Sequence, residues 1–145
     1  MKYIEEKNDL FNYEGKAWLA HCISSDFGMG KGIVVEFNKR YDLKNYMLFY
    51  FEKKKWDDHG YCIPVEKFKV FNLITKYRYY QKPTLTAVME SLIDMRDYAV
   101  ENDIKKIAMP TIAAGLDGLD WHMVSNTIQY VFAKTDIEII VCKLK

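Results

Sequence analysis

Lys106–Cys142 reads KIAMPTIAAGLDGLDWHMVSNTIQYVFAKTDIEIIVC, and the fold turns on this stretch. It opens with a short apolar run, Lys106–Met109, of strand length. A loop of small residues follows, and Asp120 then stands where a helix N-cap is wanted. Trp121, Val124, Ile128, Val131 and Phe132 fall on one stripe at helical spacing. The stretch closes on Ile137–Cys142, whose near-continuous apolar character suits a strand covered on both faces. Upstream, Leu85, Val88, Met89, Leu92, Met95 and Ala99 repeat the helical spacing. Pro83 is preorganised for the first position of that helix. Before it, Lys69–Thr75 is another strand-like run. The order strand, helix, strand, helix, strand predicts an α/β sheet with helices on both faces. Lys16–Ile23 adds a strand, Lys2–Glu5 and Tyr61–Val65 are weaker candidates, and Gly32 to about Phe51 reads as helical.

The remaining arithmetic bounds the class. The chain has 145 residues, the size of one ordinary domain, and half are apolar, which is enough for a core. A net charge of +1 gives no global reason to expect a polybasic membrane or nucleic-acid coat protein. No apolar run approaches the roughly 18 residues of a membrane span. The N-terminal MKYIEEKNDL carries charges where a signal peptide needs an apolar stretch. Cys22, Cys62 and Cys142 are widely separated and form no CxxC pair, so they read as reduced thiols in a cytoplasmic protein. The histidines His21, His59 and His122 show no metal-ligand spacing, and no metal is expected.

Three loops could carry chemistry. After the strand-like run to Ile23, Gly28, Gly30 and Gly32 come within five residues, ahead of a helical segment. Such a loop lets backbone N–H groups face an anion, with a helix N-terminus behind them. Its plain alternative is a glycine-rich surface turn. The loop Thr111-Ile-Ala-Ala-Gly-Leu-Asp117 also leaves a strand and enters a helix, and two such loops can flank one crevice at the carboxyl ends of strands. A diphosphate ligand is the natural guess, and tight strand-to-helix packing is the alternative. Lys76 lies just past the third strand-like run. Partial desolvation of its amine would favour a neutral nucleophile, whereas an ordinary lysine there is a solvated charge. The mixture of basic and aromatic residues from Lys76 to Lys82 suits nucleic acid or phosphate, or is a plain solvated loop. Asp117 is a candidate proton shuttle.

Taken in order, Asn8–Phe11, His21–Ser24 with Met29–Ile33, Leu73–Lys76 with Lys82–Thr84, Pro110–Asp117 with Trp121, and Thr135–Cys142 resemble a macrodomain. The branch containing the terminal ADP-ribose protein glycohydrolase and the DarG-type antitoxin macrodomains is the most similar. The resemblance implies one domain over residues 1–145, a three-layer α/β/α fold with a mixed, mostly parallel sheet of about six strands, and ADP-ribose at the strand ends. It implies Lys76 and Asp117 as catalytic residues. Leu10, His21, Ser24, Met29, Gly30, Gly32, Ile33, Thr111, Ile112, Ala113, Ala114, Gly115, Leu116 and Leu144 would contact the ligand, Leu10 and Leu144 at its adenosine end. Lys31 replaces a familiar alanine, and the second loop lacks a familiar arginine at Thr111 and glycine at Ala113.

The implied activity is removal of single ADP-ribose units from a protein Glu or Asp or from a DNA nucleobase, without cofactor or membrane and by a monomer. Two alternatives stand beside it. One is a module that binds ADP-ribose without turnover. The other is a hydrolase of O-acetyl-ADP-ribose or ADP-ribose-1″-phosphate.

Overall fold

The structure is a computed structural model that describes residues 1–52 and 55–143. Its strands are β1 (Lys2–Lys7), β2 (Trp18–Ser24), β3 (Tyr61–Val65), β4 (Val70–Lys76), β5 (Lys106–Met109) and β6 (Glu138–Lys143). The helices are α1 (Val34–Tyr41), α2 (Leu43–Tyr50), α3 (Leu85–Glu101) and α4 (Trp121–Phe132). One sheet runs in the order β1-β6-β5-β2-β4-β3. All neighbours in it are parallel except β3 with β4. The mixed, mostly parallel six-stranded sheet expected from the sequence is therefore what forms.

Alternation along the central strands makes the three layers. Leu19 and Ile23 of β2 and Ile140 of β6 pack with Val34, Phe37, Leu43 and Met47 of α1 and α2. Ala20 of β2, Phe71 and Leu73 of β4, and Ile139 and Val141 of β6 face the other way. There they meet Val88, Leu92 and Met95 of α3 and Val124 and Ile128 of α4. Each large side chain so buried contributes about 1.5–3 kcal/mol relative to exposure, so packing on both faces holds the sheet.

Helix boundaries correct two expectations. Thr84 is the N-cap of α3, its side chain accepting from the Ala87 N–H, and the helix begins at Leu85. Pro83 therefore lies outside the helix, in the extended lead-in. The helical segment expected between Gly32 and Phe51 is broken at Asp42, whose φ of 50° is left-handed. Aspartate tolerates that region better than most residues, and the turn lets α1 and α2 pack separately on the sheet. Asp120 caps α4 as expected, accepting from the His122 N–H at 2.8 Å. No helix among the described residues is long and apolar enough to cross a membrane.

Glu90 of α3 staples the segment entering β3. Its carboxylate accepts from the Gly60 N–H at 3.2 Å and lies 2.6 Å from His59 Nδ1. The hydrogen bond to Glu90, and then its charge, raises the His59 pKa above the ordinary value. The folded protein thus binds the extra proton more tightly than the unfolded chain. That contribution to stability is complete below the unfolded pKa of about 6.5 and is lost as pH rises through the raised value. NMR titration is expected to show His59 above its ordinary value and Glu90→Gln to bring it down. Coincident titration curves in the two proteins would remove the staple.

Candidate active site

Parallel pairing brings the ends of β2, β4 and β5 to one edge of the sheet, where open α/β folds bind ligands. Three connections leave there: residues 25–33 after β2, 77–84 after β4 and 110–120 after β5. In the sheet β2 lies between β4 and β5, so Lys76 and Asp117 approach each other across the end of β2. Lys76 Nζ donates to Asp117 Oδ1 at 2.8 Å, with the side chains 13% and 20% exposed. These two residues, 41 positions apart, form a largely buried ion pair that still opens to solvent. A salt-bridged ammonium has no lone pair. Its attack on carbon requires loss of a proton, for which this carboxylate oxygen is at transfer distance.

The ladder is irregular at this point. Ile23 pairs with Ile74, but Ser24 pairs with Lys76, leaving Thr75 as an extra residue on β4. Cys22, one residue before Ile23, lies under the ion pair. Burial pushes its thiol pKa up, and the Asp117 charge adds to this while Lys76 opposes it. The thiol therefore packs at the floor of the site as a neutral group. Ala113, in the third connection, has a left-handed backbone, φ 59°.

The three connections are tied together. The Ser25 N–H donates to the Lys76 carbonyl at 2.9 Å and Ser25 Oγ to the Tyr77 carbonyl at 2.6 Å. Asp26 accepts from Ser24 Oγ, from the Gly28 N–H at 3.1 Å and from the Tyr79 N–H at 3.4 Å. Burial alone would raise its carboxyl pKa, but these donors and the Arg78 charge hold it below the usual range. A Cβ on Gly28 would come within 2.7 Å of Tyr79 Cβ, so only glycine permits that approach. On the other side Lys82 Nζ donates to the Leu116 carbonyl. A Cβ on Gly32 would lie 3.4 Å from Leu116 Cδ1, so the first and third connections meet at that leucine.

The residues expected at the ligand divide into groups. Gly30, Gly32, Gly115 and Leu116 are exposed on the connections, and Ile33, Thr111 and Ala114 are half-buried beside them. Ser24, Met29, Ile112 and Ala113 are buried, and in this structure the Ser24 hydroxyl is taken by Asp26. Leu10 is buried in a 3-10 turn, Leu10–Tyr13, within the α1–α2 layer. Leu144 lies outside the described residues.

His21 is fully buried, its ring stacked on Phe37 at 4.0 Å. Asn72 Nδ2 donates to the Ile63 carbonyl, which leaves Asn72 Oδ1 facing His21 Nε2 at 2.7 Å. Nε2 therefore carries the proton. Burial pushes the His21 pKa down to about 4, so the ring packs as a neutral group.

Sequence reasoning passed over Asp26, Ser25 and Cys22. For Asp26 a signal existed: an aspartate two residues before a glycine, able to bond the backbone two positions on. For Cys22 none did, since its role follows from β2 lying between β4 and β5.

No family model matches the chain. Human ADP-ribose glycohydrolase OARD1 is 37% identical over 138 residues, covering 95% of this chain and 89% of that protein. Among solved structures, the macrodomain of Mycobacterium tuberculosis DarG superposes with a TM-score of 0.81 at 21% identity, covering 99% of this chain and 97% of that one. Thermosipho africanus DarTG in complex with ADP-ribose gives a TM-score of 0.78 at 18% identity, covering 98% of this chain and 41% of that one.

Proposed function

Because the chain belongs to the macrodomain family of ADP-ribose glycohydrolase OARD1, we propose that it releases single ADP-ribose units from a macromolecule through Lys76 and Asp117. The observation that carries this reading is the 2.8 Å pair between Lys76 Nζ and Asp117 Oδ1 at the meeting of three strand-end connections. Gly30, Gly32, Thr111, Ala114, Gly115 and Leu116 are assigned to the ADP-ribose, the backbone N–H groups facing its diphosphate.

In the proposed reaction Asp117 takes a proton from Nζ, and the neutral amine attacks C1″ of the distal ribose. The Nζ–C1″ bond forms as the bond from C1″ to the acceptor breaks, and the acceptor leaves with the electron pair. Water then displaces the lysine at C1″. Dividing one hard displacement into two easier ones is the gain of nucleophilic catalysis. A module that only binds ADP-ribose has no use for a buried lysine–aspartate pair, which disfavours that alternative.

A specific feature bears on the acceptor. Tyr77, Tyr79 and Tyr80 are exposed directly after Lys76. Arg78 lies over the Tyr77 ring at 4.2 Å, and Tyr79 and Tyr80 pack edge to face at 5.5 Å. An ordered rim of rings and cations favours a nucleobase acceptor over a protein carboxylate, since stacking is worth about 1–3 kcal/mol per base.

The test measures ADP-ribose release from a modified single-stranded oligonucleotide, a Glu-modified protein and O-acetyl-ADP-ribose. Release from a macromolecular substrate is expected. Tyr79→Ala with Tyr80→Ala, which keeps the Cβ resting on Gly28, is expected to slow the oligonucleotide by about tenfold and spare the others. Equal rates before and after substitution remove the nucleobase reading, and silence on all three substrates removes the glycohydrolase reading.

A further inference from the structure

We infer that Lys82 is a positioning residue for Asp117, an inference that rests on the catalytic reading of the Lys76–Asp117 pair. Asp117 belongs to a connection without helix or strand, yet its carboxylate must keep one place. That connection is closed mostly on itself: the Gly118 N–H bonds to the Ala114 and Gly115 carbonyls, the Leu119 N–H to Ala113 and the Ile112 N–H to Pro110. These bonds shape the turn but do not anchor the 116–117 peptide to the sheet.

Two lysines reach it, Lys76 at the end of β4 and Lys82 in the β4–α3 connection. Lys76 holds the Asp117 carboxylate, and Lys82 holds the carbonyl of Leu116, the residue just before it. Asp117 is thus held at the peptide carbonyl before its α-carbon and at its own carboxylate.

Lys82 is itself braced. The Arg78 N–H donates to Gln81 Oε1 at 2.8 Å and the Gln81 N–H to the Arg78 carbonyl at 3.0 Å, closing the turn ahead of it. Pro83 has a fixed φ, and Thr84 caps α3 behind it. A charged donor on a stiff base makes one of the stronger hydrogen bonds to a carbonyl. Leu116 in turn rests over Gly32, so the same lysine sets the distance between the first and third connections.

The rival role for Lys82 is direct contact with the ligand's phosphates. Positioning acts on the reaction step, whereas phosphate contact acts on binding, so the two separate in kinetics. The experiment compares wild type with Lys82→Met, which keeps the aliphatic stem, and Lys82→Arg, which keeps a charged donor. Lys82 is exposed, so both variants are expected to fold.

For Lys82→Met, kcat is expected to fall about tenfold, in line with the cost of misplacing a catalytic group. The Kd for free ADP-ribose stays within about twofold by calorimetry, and Lys82→Arg recovers most of kcat. Amide exchange at Gly118 and Leu119 is expected to quicken in Lys82→Met as the connection loosens. A Kd that rises in step with the loss of kcat/KM overturns the inference, and so does unchanged kcat or unchanged exchange. The exchange measurement needs no substrate. It therefore judges Lys82 even if wild type releases nothing, which would instead refute the glycohydrolase reading.

Discussion

Lys76→Ala is expected to lower ADP-ribose release by on the order of 10³-fold or more, the scale of losing a group that acts on the reacting bond. Binding of free ADP-ribose is expected to survive. The alanine removes the amine that attacks C1″ and leaves the backbone N–H groups of the glycine-bearing connection in place. It also leaves Asp117 without its ion-pair partner. Asp117 is 20% exposed, so water reaches the carboxylate and keeps the cost to the fold below the about 3–5 kcal/mol of breaking a fully buried pair. A cooperative thermal transition and retained ADP-ribose binding, together with lost turnover, separate chemistry from stability.

The same pair supplies a second readout. Once the adduct has formed, Asp117 is free to take the proton of the attacking water; in Asp117→Ala the adduct is therefore expected to form more slowly but to persist, and its ring-opened imine form accepts hydride from cyanoborohydride. A protein mass raised by one ADP-ribose, mapped to residue 76, supports the lysine as nucleophile. Wild-type release from Lys76→Ala would falsify it.

The second large effect falls on stability. Gly60→Ala is expected to destabilise the protein by about 3 kcal/mol, the upper end for overpacking, and to lower Tm by roughly 10 °C. A Cβ at residue 60 would sit against the Ala87 carbonyl oxygen and 2.8 Å from its carbon, both backbone atoms in the first turn of α3. Backbone in a capped helix cannot step aside as the end of a side chain can. Either α3 lifts from β3 or residue 60 withdraws, and withdrawal breaks the Gly60 N–H bond to Glu90 and strains the Cys62 N–H bond to Asp94. Differential scanning calorimetry checks this, and a wild-type Tm would mean that the close approach does not exist in solution.

Much of the architecture was readable in the sequence because burial on two faces writes itself into composition. The β6 run is apolar at nearly every position, and four consecutive residues, Ile139 to Cys142, are buried. Helices α3 and α4 carry one apolar stripe each, which is why their core residues could be named in advance. The break at Asp42 was not readable, since a left-handed residue inside a helical pattern leaves no periodic mark. The enclosure of His21 was unreadable for a related reason: Asn72 on the neighbouring strand and Phe37 on α1 decide it. Lys76 was visible just past a strand-like run and Asp117 as the carboxylate of the small-residue loop. That they touch depends on the strand order, which local pattern does not encode.

The placement of β6 between β1 and β5 has a consequence for how the protein is made. Residues Lys2–Lys7 take Glu138–Lys143 as their parallel partner, so during synthesis this strand waits for a segment more than a hundred residues downstream. Loop closure over so long a separation is among the slower steps a chain can face. The segments that build the candidate site, β2, β4 and β5, can assemble before that. A nascent chain stalled short of Glu138 is thus expected to hold a preformed centre with its β5 edge unpaired, open to chaperones or to a strand from another molecule.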